Sequence, residues 1–319
     1  MNKLLAALIT CAGMVTAPVA MAADFPAKNI QFVIPVSPGG GFDTYVRAVA
    51  PIIERHLPQS VNIVPTNIPA AGGARGAAQV YRAKPDGYTI GIFNIPGMLV
   101  PQIRGDSDLQ YDLKKMTWLG SFGQDGYGVG VPTASPYKTV ADLKALDRPV
   151  KFTASGPSST AYSATMIATD MLGIKREIIS GYKGSNDYVL AVIRGDGDAV
   201  IGPLPVMEKF VESGELRIIG TFEEKSSVPG AQNAVEMGQP DLSKLSVGRL
   251  VAGPPDLPPE VAKTLSESLM AAMQDPAMAT WSKESGIAVE PGDAASAKGI
   301  LEGQFNFYER YSKYLGPAN

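Results

Sequence analysis

The chain has 319 residues, 45% of them hydrophobic, with a formal net charge of −3 and a single cysteine, Cys11. A slightly acidic chain without a basic stripe excludes a nucleic-acid footprint, and one cysteine excludes both a disulfide framework and a thiolate metal site. Stability must therefore come from apolar cores, and the length is enough for two domains of ordinary size.

In chain order, Met1-Asn2-Lys3, the apolar run Leu4 to Ile9 and the small residues Ala20-Met21-Ala22 read as a secretory signal peptide, residues 1–23, removed on export. Thr10, Gly13, Thr16 and Pro18 break the run too often for a spanning helix. Leu8-Ile9-Thr10-Cys11 has Thr where lipoprotein processing prefers Gly, Ala or Ser, and lipid anchoring at Cys11 stays open. The sequence thus places the mature protein in the periplasm.

Beyond residue 24, strand-like and helix-like runs alternate, the pattern of an α/β protein with a largely parallel sheet. Strands are expected at Ile30 to Ile34, Val61 to Val64 and Tyr88 to Phe93, and helices over Thr44 to Leu57 and Ala74 to Ala83. Pro51 should kink or split the first helix. Beyond Gly123-Gln124-Asp125-Gly126, a second series predicts strands at Val129 to Val131, Val150 to Ala154, Arg176 to Ile179, Ala199 to Gly202 and Leu216 to Ile219. Helices are expected around Val140 to Leu146 with Thr139 as cap, and over Thr160 to Leu172, Asn186 to Arg194 and Val206 to Glu212. A strand at Leu250 to Gly253 then leads into a Pro-started helix over Val261 to Gln274. Two series of similar size imply two lobes, one formed by 24–123 and 250–319, the other by 124–249.

The loop Pro35-Val36-Ser37-Pro38-Gly39-Gly40-Gly41-Phe42-Asp43 joins a strand to a helix and exposes amide groups that suit an anion; a tight turn needing positive φ is the plain alternative. Asp43 reads either as a ligand contact or as a helix cap. Pro69-Ala70-Ala71-Gly72-Gly73 repeats the arrangement after the second strand, and ligands of open α/β sheets bind at that edge. In the second series, Ser155-Gly156-Pro157-Ser158-Ser159-Thr160 adds hydroxyls at a strand-to-helix junction, with helix capping as the alternative, and Tyr182-Lys183-Gly184 opens the next helix. Neither glycine loop has nucleotide-binding spacing, and the only histidine, His56, suits a helix C-terminus better than a base. Asp196 and Asp198 flank Gly197 without the continuation of a calcium loop. The sequence therefore calls for no catalytic residue, metal or cofactor.

Several motifs in order resemble one family. These are the strand leading to Pro38-Gly39-Gly40-Gly41-Phe42-Asp43, Lys84-Pro85-Asp86-Gly87-Tyr88-Thr89, Gly181-Tyr182-Lys183-Gly184-Ser185, Ser213-Gly214-Glu215-Leu216-Arg217 and the Pro258-Pro259-Glu260 helix opening. Together they resemble the extracytoplasmic receptors of tripartite tricarboxylate transporters, the Bug family, over essentially the whole mature chain. The resemblance implies a two-lobed periplasmic-binding-protein fold with a hinge, no enzymatic activity, a small organic carboxylate as ligand and the membrane components of the transporter as partners. It implies that loop amides and ordered waters hold the ligand carboxylate. Gly40, Gly41, Asp43, Ala71, Gly72 and Gly73 would line one lobe, with Phe42 beside them. Ser155, Ser158, Ser159, Thr160, Tyr182, Lys183, Gly184 and Asp198 would face them. Ala70, Pro157 and Gly181 depart from the family's usual residues, which affects ligand choice more than fold. A sensory receptor and a secreted carboxylate-processing enzyme are the alternative functions.

Overall fold

A computed structural model describes residues 25–315 apart from 40, 71, 72, 157, 158 and 286; the expected signal peptide and Cys11 lie outside them. The expected strands and helices alternate in the order read, with the second strand shifted to Ile63–Asn67 and, among the described residues, three further α-helices beyond those expected. Strands β1 (Ile30–Ile34), β2 (Ile63–Asn67) and β3 (Thr89–Ile95) enclose helices α1 (Gly41–His56) and α2 (Ala74–Tyr81), and α3 (Leu99–Arg104) follows β3. Next come β4 (Thr117–Pro132), α4 (Val140–Lys144), β5 (Val150–Thr153), α5 (Thr160–Leu172), β6 (Arg176–Ile179), α6 (Ser185–Ile193), β7 (Ala199–Pro203), α7 (Leu204–Glu212) and β8 (Leu216–Thr221). The chain closes with β9 (Ser246–Gly253), α8 (Pro259–Gln274), α9 (Pro276–Ser285) and α10 (Ala294–Arg310). Among the described residues no helix is long and apolar enough to cross a membrane.

The sheet is mixed rather than largely parallel. In the first half β1 pairs in parallel with β2 and β3, and in the second half β5 pairs in parallel with β6 and β7. Antiparallel pairs join these groups: β9 with β3 and β4, and β4 with β7 and β8. The segment 123–126, expected to separate the two series, lies inside β4, which runs through it. Its glycines serve close packing instead. A Cβ at Gly128 would lie 2.7 Å from Leu204 Cδ2 and 2.8 Å from the Gly220 carbonyl oxygen, so only glycine lets α7 and β8 approach the strand there. Both expected lobe boundaries, 123/124 and 249/250, consequently fall inside strands.

Pro51 lies within α1 without splitting it. Thr139 caps α4 in a full capping box, its hydroxyl accepting the Asp142 amide while the Asp142 carboxylate accepts the Thr139 amide. One core fills the α1 and α8 side of the first half and a second lies between α6, α7 and β8. A third, larger core holds β4, α5 and α10 together across both halves.

Candidate functional site

The register of β4 fixes where the two halves meet. Its first part, Thr117 to Gly126, pairs with β9; its second part, Tyr127 to Pro132, pairs with β7 and β8. β3 runs antiparallel to β9, as β4 does, so β1 and β3 point the same way as β4; β3 ends at Ile95, opposite Gly248 and so level with Gln124, and β1, whose Val33 lies beside Gly91, stops short of that level. β7 opposes β4 with Pro203 beside Tyr127, so the carboxyl ends of β7, β5 and β6 point back to the same line. Strand ends from both halves therefore face each other across Gly126 and Tyr127. The helices that follow these strands, α1, α2, α5 and α6, begin at this edge with their amide ends toward it, and helix N-termini attract anions.

The loops of the first half interlock. Gly73, at φ 101°, holds a backbone conformation that residues with a Cβ rarely adopt, and a Cβ there would also meet Met98 Cε at 2.6 Å. At Gly76 a Cβ would lie 2.7 Å from Pro35 Cβ, so α2 rests directly on the first loop. Asp43 is 4% exposed and organises that loop. Its Oδ2 accepts the Gly39 amide at 2.9 Å, while Oδ1 accepts Asn67 Nδ2 at 2.8 Å and Arg47 Nε at 2.9 Å. Asn67 Nδ2 also donates to the Val36 carbonyl at 3.1 Å. Burial pulls the Asp43 pKa upward, but these hydrogen bonds outweigh it and the carboxyl sits below its ordinary value. Asp43 thus braces the loop, its carboxylate engaged by Gly39, Asn67 and Arg47.

In the second half, Ser159 is the N-cap of α5, its hydroxyl accepting the Tyr162 amide at 3.2 Å. Thr160, the first residue of α5, lies beside buried Tyr127, at the crossing itself. Ser155 lies half-buried in the loop after β5. Tyr182 donates to Asp196 at 2.8 Å, Lys183 is exposed, and Gly184 is the extended residue before α6. Gly41, Phe42, Gly73, Ser155, Ser159, Thr160, Tyr182, Lys183 and Gly184 all follow strand carboxyl ends at this edge. Gly40, Ala71, Gly72 and Ser158 lie outside the described residues.

Asp198 is not brought to the edge. It precedes β7, beside Lys151, at the opposite end of the strands, where Arg148 grips it at 2.6 and 2.8 Å and the Lys151 amide donates at 2.8 Å. The Arg148 guanidinium, ahead of the opposing effect of burial, holds its carboxyl below the ordinary range. His56 likewise pairs with Asp275 at 3.0 Å, away from the edge.

Three residues at the crossing carried no sequence signal. Arg249 in β9 is 5% exposed, binds Asp125 of β4 through both terminal nitrogens, and lies 4.5 Å from the Tyr45 ring. Burial lowers the Arg249 pKa and the Asp125 carboxylate more than restores it, so the guanidinium stays charged. Asn94 of β3 is its cross-strand neighbour. Isolated polar residues inside apolar strands give no periodic cue, and only the pairing reveals them as one row.

Among the described residues no group of three or more His, Cys, Asp or Glu side chains is placed to hold a metal ion. A groove of about 540 Å³ lies apart from this edge, lined by Lys114, Trp118, Lys298 and Phe305. Trp118 and Phe305 are core side chains, and none of the amide-rich loops reaches the groove.

The profile of the tripartite tricarboxylate transporter family receptor matches residues 45–310. The chain belongs to this family. A UPF0065 protein from the gbd 5' region of Cupriavidus necator is 29% identical over 280 residues, covering 85% of this chain and 83% of the relative. Protein BugT of Bordetella pertussis is 27% identical, covering 87% and 86%. A TctC solute-binding protein from Polaromonas superposes with a TM-score of 0.75 at 20% identity, covering 90% of this chain and 98% of that one. MatC from Rhodopseudomonas palustris with bound malate gives 0.71 at 18%, covering 92% and 100%. A second R. palustris protein, with adipate, gives 0.69 at 22%, covering 92% and 99%. The likeness establishes the fold of this receptor as that of periplasmic binding proteins of the TctC type. Family and fold are those of solute-binding receptors, which are periplasmic and are not enzymes.

Proposed function

We propose that this receptor captures a small organic carboxylate between its two halves and presents it to the membrane components of a tripartite tricarboxylate transporter. Export by the N-terminal segment would put it where that ligand arrives. The observation that carries the reading is the convergence of strand carboxyl ends from both halves on Gly126 and Tyr127, with the amide ends of α1, α2, α5 and α6 facing the gap. Four positive helix ends and few cationic side chains suit one or two carboxylates held by backbone donors. Malate and adipate in two structural neighbours support the choice of ligand class.

The lobes would meet within β4 and near the start of β9, and the ligand would touch the loops carrying Gly40, Gly41, Gly72, Gly73, Ser155, Ser158 and Ser159. Lys183 would lie at the rim. A thermal-shift screen over mono-, di- and tricarboxylates, hydroxy acids and amino acids tests this. A ligand at a hundredfold excess over Kd stabilises the folded state by about 2.7 kcal/mol, roughly a 5 °C rise in a chain of this size. If amines or neutral solutes raised the melting temperature and no carboxylate did, the proposal would fail.

A further inference from the structure

Helix α10 is not confined to one half. Just before it, Ser121 and Gly292 exchange backbone hydrogen bonds on the first part of β4. Ile300 then packs where Gly248 of β9 leaves space, and Gln304 donates to the Lys244 carbonyl at 2.9 Å and to the Ser246 hydroxyl at 2.8 Å. Tyr308, fully buried, sits in one core with Tyr127, past the crossing. Beyond the helix, Tyr311 stacks on Tyr314 with ring centroids 6.3 Å apart, and the Tyr314 hydroxyl donates to Asp170 near the end of α5. Leu315 is buried in the same core as Ala168 and Leu172 of α5. The 17-residue helix, roughly 26 Å long at 1.5 Å per residue, therefore starts on one half and is fastened to the other.

We propose that α10 and the turn after it form a brace across the hinge, with Tyr314 and Asp170 as its latch. The proposal rests on the two-lobed reading above, and concerns how the lobes move rather than what they bind. A stiff helix fixed along β9 cannot follow a rotation of the second half. α5 starts at the crossing, where Thr160 meets Tyr127, and Asp170 lies ten residues further along it, roughly 15 Å away. A lobe rotation of about 10° would then move Asp170 by roughly 3 Å, more than a hydrogen bond tolerates. The latch can thus be made in one lobe arrangement and must open in another, so it biases the equilibrium between them without touching ligand.

The test uses spin labels on cysteines introduced at exposed Gln79 in α2 and exposed Lys175 before β6, in a Cys11→Ser background, with the interlobe distance distribution read by electron double resonance. Tyr314→Ala and Asp170→Ala should each broaden the distribution of the unliganded protein or move its mean. Tyr314→Phe, which keeps the ring and removes only the hydroxyl, should do so to a smaller degree, and circular dichroism verifies folding. Distributions matching the parent protein in all three folded variants would overturn the brace. No ligand is needed, so an incorrect ligand class leaves the test intact, and a failed brace leaves the carboxylate reading untouched.

Discussion

The carboxylate of Asp43 holds the amide of Gly39 at 2.9 Å, tying the first turn of α1 back to the glycine loop that precedes it. With Asn67 and Arg47 on the other oxygen, one buried side chain fixes the end of β1, the start of α1 and the end of β2. Asp43→Asn keeps the shape but replaces charge-assisted acceptors by weaker ones and turns one acceptor into a donor. It should cost about 2 kcal/mol of stability and weaken ligand binding, because the loop amides lose their fixed direction. Urea unfolding and calorimetry measure the two effects. Unchanged values in both would show that the strut is dispensable.

The same group sets a pH dependence. The Asp43 and Asp198 carboxyls have folded pKa values below the ordinary carboxylate range. Their contribution is present above the unfolded-state value of about 3.9 and disappears as pH falls through the lower folded values. The stability gap between the parent protein and Asp43→Asn should therefore be constant from neutral pH to about pH 5 and shrink toward zero in stronger acid. A gap that widened on acidification would contradict the assigned direction.

Asp198 supplies the contrast. Asp198→Asn loosens its bonds to Arg148 and the Lys151 amide and should cost about 1 kcal/mol of stability, leaving the ligand Kd unchanged. A tenfold loss of affinity in a normally folded Asp198→Asn protein would return this residue to the binding site.

Much of the second half was legible because its signals are local. Thr139 and Asp142 form a capping box, Ser159 caps α5, and Ala199 to Pro203 is a short apolar run bounded by turn residues. The glycine loops at the strand-to-helix junctions were legible for the same reason. What was hidden depends on partners distant in sequence. Gly123 and Gly126 read as the break between the two series, yet they sit in a 16-residue strand, with Leu204, Glu223 and Glu290 packed against its glycines. Nothing in the sequence marks the distant partners, Asn67 and Arg148, that engage the carboxylates of Asp43 and Asp198.

The Arg249–Asp125 pair joins the two strands nearest the crossing. Arg249→Met would leave Asp125 without its counter-charge and should destabilise by about 3 kcal/mol. The double variant Arg249→Met with Asp125→Leu should recover part of that loss, since it removes the stranded charge as well. Chemical denaturation of the three proteins gives the coupling directly. Strictly additive losses would mean that the pair does not act as a unit.

The central claim is that backbone amides at the facing strand ends, rather than a cationic side chain, carry the affinity for a carboxylate. Calorimetry on Gly41→Pro and Lys183→Met, with the best ligand of the thermal screen, tests it most directly. Gly41→Pro deletes an amide at the start of α1, whereas Lys183→Met removes the exposed charge and leaves every loop amide in place. Each hydrogen bond to a charged group is worth about 1.5–3 kcal/mol, so Gly41→Pro should raise Kd at least about tenfold. Lys183→Met should change it less than about threefold, as expected for an exposed charge. Abolished binding in Lys183→Met beside an unaltered Kd in Gly41→Pro would contradict the account and point to a side-chain clamp.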